Sequence, residues 1–482
     1  MFVFVSAIMK LMTRLLQVKQ YADALHIPYG YYLIDSWWYG ERDFGGVSLW
    51  EDTPSLLKYR FPSGLAALRD TLGVPLAAHI GKWVASTPYA QVESYEFIVD
   101  NASNTAIPQS ASFWDDLFQK ASDWDLIVVK QDHISEQIPD CDVLTKNISA
   151  ASTWLIQQGE GVNRQGVSIQ YCMDWPRVVL TSLQTPTSTH SRAGGDYLPD
   201  GAQSNWRVGV TSMFLWSIGL YPYKDTFYST STEVETNPNT PFCNFTEPYP
   251  FTHALVSALT AGPVAPSDGV GGSDAALIMR ACRSDGVLLK PDRPAMAIDQ
   301  RWAAECFGTD GPAFQDVWTT FTAYGNLSWF YIFGGDLGFS YNFYPSALPL
   351  PPPQPVEYLA YQLSNDSSGL VASVAPFSAS SPIPLAEGTT YGDVALWVAC
   401  PIFTMSSVVS TNSTQVSFMG ETSKFIPISK QRISTVSASD STLFFQVVST
   451  SPAPTTVSER LFVSSSPYAI QHGVQLSSPN KV

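Results

Sequence analysis

Four consecutive branched aliphatic residues, Leu126-Ile127-Val128-Val129, run directly into Lys130-Gln131-Asp132-His133. An unbroken apolar run of this length suits a strand buried on both faces, as in a parallel sheet or barrel. The polar residues arrive only at its C-terminal end. In an α/β barrel that end is where the loops build a site, and Lys130 and Asp132, two residues apart, project from the same side of the strand. An ordinary buried strand closing on a surface salt bridge has the same local pattern, so the rest of the chain must decide.

The flanking sequence repeats helix and strand. Leu11 to Leu25 is apolar at helical spacing, and Tyr31 to Ile34 reads as a strand ending in Asp35-Ser36-Trp37-Trp38. A helix over Leu65 to Leu72, stopped by Gly73, leads to a strand over Val74 to Ile80. Tyr95 to Val99 is a weaker strand, and Phe113 to Ala121 is the helix that feeds the opening run. Helices at Ser152 to Gln158, Trp206 to Ile218 and His253 to Thr260 alternate with strands at Gly166 to Cys172, Thr189 to Ala193 and Leu220 to Tyr223. Gly262 to Pro266 is the eighth strand. The pattern predicts a (β/α)8 TIM barrel over residues 1–300, in which six acids fall at or just past strand C-termini: Asp35, Asp132, Asp174, Asp196, Asp225 and Asp268. Scattered surface acids would not sort so consistently to one end.

A last helix is expected over Ser273 to Arg283. From about Arg301 helical periodicity is lost, and the proline run Pro349 to Pro355 is a stiff connector. Alternating β-branched segments follow, among them Val394 to Val398 and Leu443 to Val448. They predict a C-terminal antiparallel, β-sandwich-like domain over residues 301–482.

A chain of 482 residues has room for a barrel of about 250 plus a second unit. Its net charge of −16, with only 26 Lys and Arg, argues against nucleic acid and anionic membranes as partners. Neither a nucleophile elbow nor a phosphate or dinucleotide loop occurs, and the six cysteines and six histidines show no metal-ligand spacing. No cofactor is expected. No apolar run offers a transmembrane helix, and no signal peptide is recognised, although six N-x-S/T sequons are compatible with the secretory route. Localisation and oligomeric state stay open. What remains is a set of acids among aromatics, which points to glycosidase chemistry.

Five segments, in order, resemble the α-galactosidase and raffinose synthase (seed imbibition) glycoside hydrolases. Lys130-Gln131-Asp132 resembles the K-x-D motif of that family's fourth strand, and Ile169 to Trp175 is similar to its fifth-strand segment. Arg192-Ala193-Gly194-Gly195-Asp196-Tyr197 resembles R-x-S-D-D-F, Lys224 to Phe227 resembles W-D-M-F, and Ala261 to Asp268 resembles G-G-P-I-Y-V-S-D. The likeness spans Tyr31 to Asp299; the C-terminal part matches only in type.

The resemblance implies a retaining α-glycosidase acting on an oligosaccharide or glycoside, with transglycosylation as a variant. Such an enzyme needs two carboxyls about 5–5.5 Å apart. Asp132 is implied to be the nucleophile, kept ionised by Lys130, and Asp196 the acid and then the base. Asp35 and Lys130 are implied to hydrogen-bond sugar hydroxyls, with Cys172, Arg192 and Asp225 around the pocket and Trp37, Trp38 and Trp206 as apolar walls. For at least one of Trp37 and Trp38, core packing is an equal alternative. Three departures from the family stand out. Ser36 follows Asp35 where relatives carry tandem acids, Gly195 stands for the first acid before Asp196, and only about thirty residues precede the first expected strand where relatives carry a large β-domain. The chain is then either a divergent short form or a fragment, and a non-catalytic carbohydrate-binding relic of the fold is the alternative to an enzyme.

Overall fold

The computed structural model describes residues 2–4, 11–41, 46–52, 61, 63–197, 203–231, 246–307, 316–349, 357–369, 371, 373–388, 390–406, 413–439, 442–448, 460–464 and 469–472. Its N-terminal part alternates strand and helix in the order β1 (Phe2–Phe4), α1 (Leu11–Ala24), β2 (Tyr31–Ile34), α2 (Gly64–Leu72), β3 (Leu76–Ile80), α3 (Ala111–Ala121) and β4 (Leu126–Gln131). There follow α4 (Ala150–Arg164), β5 (Ser168–Tyr171), α5 (Pro176–Thr181), β6 (Ser188–Arg192), α6 (Gln203–Ser217), β7 (Tyr221–Tyr223) and α7 (Pro250–Leu259). Among the described residues the seven strands form one parallel sheet in chain order. Each crossover returns to the next strand, as right-handed βαβ units require.

Two layers of apolar side chains explain why these runs are strands. On the helix-facing side, Tyr32 and Ile34 of β2, Ala78 and Ile80 of β3, Val129 of β4 and Ile169 and Tyr171 of β5 are packed with Leu15 of α1, Leu65 and Leu68 of α2, Trp114 of α3 and Trp154 of α4. On the inner side, Leu33, Ala77 and Val128 meet Ala265. Strand periodicity then fixes what comes next. Two residues beyond that inner layer stand Asp35, His79 and Lys130, and two beyond Lys130 stands Asp132. The apolar floor and the polar cluster above it are successive layers of one pleat.

The eighth position is occupied but not laddered. Gly262 runs so close to β7 that a Cβ there would lie 2.2 Å from the Pro222 carbonyl oxygen, and Pro266 makes a single parallel bridge to Phe227. No ladder joins this segment to β1 among the described residues, so the sheet is an open arc where the sequence predicts a closed barrel. Pro263 and Pro266 lack the N–H groups that a continuous ladder needs.

Other expectations are also corrected. Phe97–Asp100 is not a barrel strand; it pairs antiparallel with Thr105–Pro108 in a separate hairpin and is only partly buried. The additional parallel strand is Phe2–Phe4, hydrogen-bonded beside β2. The helix expected over Ser273 to Arg283 is shorter, an α-turn at Ala275–Ile278 continued as 3-10 helix at Met279–Ala281. Helix also persists beyond Arg301, over Asp299–Phe307. Of the proline connector, residues 350–355 lie outside those described.

The C-terminal part is antiparallel. Long strands β8 (Asp316–Tyr324), β9 (Leu327–Gly335), β10 (Tyr358–Gln362), β11 (Val394–Ser406) and β12 (Ser413–Gly420) belong to one nine-stranded sheet, which Met296–Ala297 also joins. Their alternation serves two faces. Trp318, Trp329, Tyr331 and Phe333 pack with Val208 and Leu215 of α6 and Leu255 and Val256 of α7, whereas Val317, Phe330 and Ile332 enter a separate core with Phe343 and Phe377. Among the described residues no helix is long and apolar enough to cross a membrane.

The contact between α6 and the sheet explains a glycine inside a helix. A Cβ at Gly209 would lie 2.2 Å from Trp318 Nε1, and that indole is fully buried with its N–H donated to Asp316 Oδ1 at 2.8 Å. Gly209→Ala should therefore destabilise by about 1–3 kcal/mol through overpacking, despite alanine's better helix propensity. Urea unfolding measures this. An unchanged or raised midpoint would contradict the packing described.

Candidate functional site

At the C-terminal end of the arc, four side chains from three adjacent strands form a buried ionic cluster. Lys130 Nζ lies 3.1 Å from Asp35 Oδ2 and 3.5 Å from Asp132 Oδ2. His79 Nε2 lies 3.2 Å from that same Asp132 oxygen and 3.9 Å from Asp35 Oδ1. The register that opposes His79 to Lys130 makes this meeting possible across 53 residues of sequence. Backbone N–H groups complete the carboxylates: His133 donates to Asp132 Oδ1 and Ser36 to Asp35 Oδ1, both at 2.7 Å. A carboxylate only accepts, so His79 Nε2 carries the hydrogen toward Asp132, leaving Nδ1 to face the Tyr39 hydroxyl at 2.9 Å.

These contacts set the charge states. Burial raises the Asp132 carboxyl, but the Lys130 ammonium and the His79 hydrogen bond outweigh it and hold the group well below the usual carboxylate range. The balance at Asp35 is the same, with Lys130 and His79 overcoming burial. For Lys130, burial lowers and the two aspartates raise, and the ammonium is held well above its ordinary value.

A second cluster follows β6. Arg192 Nη1 reaches Asp196 Oδ1 at 2.7 Å and Asp225 Oδ2 at 3.6 Å. The Asp196 side chain is 64% exposed and that of Asp132 only 9%, so of the two candidate carboxyls one is largely buried and the other faces solvent. Asp225 is fixed by the Tyr197 backbone N–H, donated to Oδ2 at 2.7 Å. Cys172 lies between the clusters. Burial raises its thiol, and Arg192, Asp132, Lys130 and Asp225 all act on it electrostatically.

Among the expected walls, Trp38 is wholly buried: its indole N–H donates to the His79 carbonyl at 3.3 Å, and its ring packs edge-on against Trp50 and Trp124. It is core, supporting the His79 backbone from behind. Trp37 is partly buried near Phe61, with ring centroids 5.9 Å apart. Trp206 lies in α6, but its side chain is outside the described residues, as are Cys243, Asn244, Asn412 and the Cys306 side chain. Cys141, Cys172, Cys282 and Cys400 are free and buried.

Sequence spacing hides several members of the site. His79, Asp132 and His133 offer donor atoms within 4.8 Å of one another, close enough for a metal ion, although His79 comes from a different strand than the adjacent pair. The Lys130 ammonium, 3.5 Å from Asp132, places positive charge where such an ion would sit and disfavours it. Tyr39 likewise carries no sequence signal. Asp174 did carry one, as a strand-end acid. It accepts from Ser191 Oγ at 2.7 Å, and burial raises its carboxyl to about 6.

No protein-family profile matches the sequence, and no curated protein matches it. Solved structures do. A GH27 β-L-arabinopyranosidase from Geobacillus stearothermophilus superposes with a TM-score of 0.57 at 13% identity, over 83% of this chain and 95% of that one. An aspartate-to-alanine variant of that enzyme in complex with arabinose gives 0.55 at 11% identity, over 81% and 94%. The α-galactosidase from Lactobacillus brevis gives 0.47 at 14%, over 82% and 53%. The first two share this chain's fold.

Asp174 generates a test of the site's electrostatics. A folded-state value raised from about 3.9 to about 6 favours the protonated form, so its stabilisation is complete below the unfolded value and is lost as pH rises through 6. The displacement corresponds to about 3 kcal/mol. Asp174→Asn should therefore gain stability relative to the parent protein by up to that amount between pH 4 and pH 7. Equal differences in unfolding free energy at the two pH values would exclude it.

Proposed function

We propose that the chain is a retaining α-glycosidase of the α-galactosidase and raffinose synthase type, with residues 1–300 as a catalytic α/β unit built on the open parallel arc and residues 301–482 as an accessory β-domain. The observation that carries the reading is the Asp35–Lys130–Asp132–His79 cluster. It places at the mouth of a parallel α/β arc a buried carboxyl held well below the usual carboxylate range by Lys130 and His79, with a second, solvent-facing acid two strands away. The fold shared with a glycosidase supports it.

In this mechanism an Asp132 carboxylate oxygen attacks the anomeric carbon while Asp196 gives its proton to the departing glycosidic oxygen. A glycosyl ester forms. Asp196, now a carboxylate, takes a proton from water, whose oxygen displaces Asp132 and restores both groups. A sugar hydroxyl in place of water gives transglycosylation. Asp35 and Lys130 accept from and donate to ring hydroxyls, Arg192 and Asp225 orient Asp196, and Cys172 lines the floor between them. No step requires a cofactor.

The substrate is an α-galactoside or its close analogue. The structural neighbour is named for β-L-arabinopyranosides, whose ring matches α-D-galactopyranose in configuration and lacks only the exocyclic hydroxymethyl group. Ser36 stands where the resembling family has a second acid, so one hydroxyl contact fewer is available on that side.

Turnover of aryl α-galactosides and aryl β-L-arabinopyranosides tests the proposal. Asp132→Asn should lower kcat on the better substrate by on the order of 10⁵, and Asp196→Asn should lower it on substrates with poor leaving groups by about 10²–10⁴. Tight sugar binding without turnover, unchanged in Asp132→Asn, would instead identify a carbohydrate-binding relic.

A further inference from the structure

A buried carboxylate outside the cluster just described is unused by that mechanism. Glu247 is completely buried, and both its oxygens are engaged: Oε1 accepts the Tyr249 N–H at 2.7 Å, and Oε2 accepts the Tyr197 hydroxyl at 2.6 Å with His253 Nε2 at 3.2 Å. Its own N–H donates to the Ser231 carbonyl at 3.0 Å. Burying a carboxylate costs several kcal/mol unless it is paired and hydrogen-bonded, so a site this fully engaged fixes whatever it holds.

What it holds is the residue after Asp196. Tyr197 is gripped at both ends, its hydroxyl by Glu247 and its N–H by Asp225 Oδ2 at 2.7 Å. Between them its ring stands edge-on to His253 at 5.1 Å and to Tyr228 at 5.5 Å, with the Lys224 ammonium 4.9 Å from its centroid. Asp196, by contrast, projects toward solvent on the Arg192 pair. Its backbone is therefore aimed mainly by its neighbour. The support extends into the C-terminal sheet region. Tyr391 lies against His253 at 5.6 Å and Tyr249 at 5.2 Å, and a Cβ on Gly392 would lie 2.4 Å from Tyr249 Cδ1.

We propose that Glu247 is a positioning residue for Asp196, acting through Tyr197 and braced by His253 and Tyr391. The proposal rests on the reading of Asp196 as the acid of a glycosidase. Glu247 touches no substrate; it sets the direction from which the proton is delivered. A loss of that direction hurts substrates that need protonation and spares those that do not.

The test uses two variants of the full chain, Glu247→Gln and the milder Tyr197→Phe, which removes only the hydroxyl that Glu247 accepts. kcat/KM is measured on a dinitrophenyl glycoside and on a methyl or disaccharide substrate of the same sugar, together with amide hydrogen exchange over Ala193–Tyr197. The expected result is exchange at least about ten-fold faster, with a fall of about 10²-fold on the poor leaving group and less than about 3-fold on the good one. Unchanged exchange overturns the proposal, and so does an equal loss on both substrates. Should Asp196→Asn leave turnover of the poor leaving group intact, the acid assignment falls instead, and exchange over Ala193–Tyr197 alone then upholds or overturns Glu247 as the residue that fixes that segment.

Discussion

One ammonium holds the candidate site together. Lys130 sits between Asp35 and Asp132, and without it two carboxylates would share a buried space with only His79 to separate them. Removing charges from water costs several kcal/mol per ion, and the interior returns that only when geometry and hydrogen bonds are both good. Here both carboxylates also receive backbone N–H groups, from Ser36 and His133. His133 itself has φ +60°, an uncommon conformation for a non-glycine residue, where the chain leaves β4 for the helix at Ile134–Asp140.

The arc exists in order to stack such layers. Leu33, Ala77 and Val128 make a dry floor, and the next inward positions carry the charges. Moving β4 by one residue would exchange Lys130 for Gln131 and aim Asp132 at the helices. The outer apolar positions forbid that slip, because Ile34, Ile80 and Val129 are completely buried against the helices on the other side. Packing on one face thereby holds the chemistry on the other in register.

Much of this was legible in the sequence because it is local. The run Leu126 to Asp132 states its own burial, direction and polar end, and Gly73 closes α2 with φ +67°, as a glycine there should. The strand-end acids marked the rim before any contact was known. Non-local pairing was not legible. Phe2–Phe4 looks like any short apolar segment until β2 supplies its partner, and Tyr95 to Val99 has strand character without saying which sheet it joins. Trp38 follows an acid of the site, yet it turns inward because Trp50 and Trp124 leave room for it there. His79 and Glu247 are ordinary in sequence and acquire meaning only from what folds against them.

The two candidate acids depend on different parts of the molecule. Asp132 belongs to the side of the arc where β2 to β5 and their helices form a core of their own. Asp196 and Asp225 belong to the side where β7 has three residues and the eighth position holds by a single bridge. The regular ladder there is short, and packing adds to it: Leu220, Phe227 and Val264 share one core with Trp318, Trp329 and Phe333 of the antiparallel sheet. Gly209 against Trp318 and Gly392 against Tyr249 are tight points of that contact, each at a position where any side chain would collide. A sheet pressed this tightly against the weaker side of an open arc supplies stiffness that the parallel ladder there lacks. The C-terminal sheet is thus part of the frame around Asp196 and Asp225, and loosening it should disturb the exposed acid before the buried one.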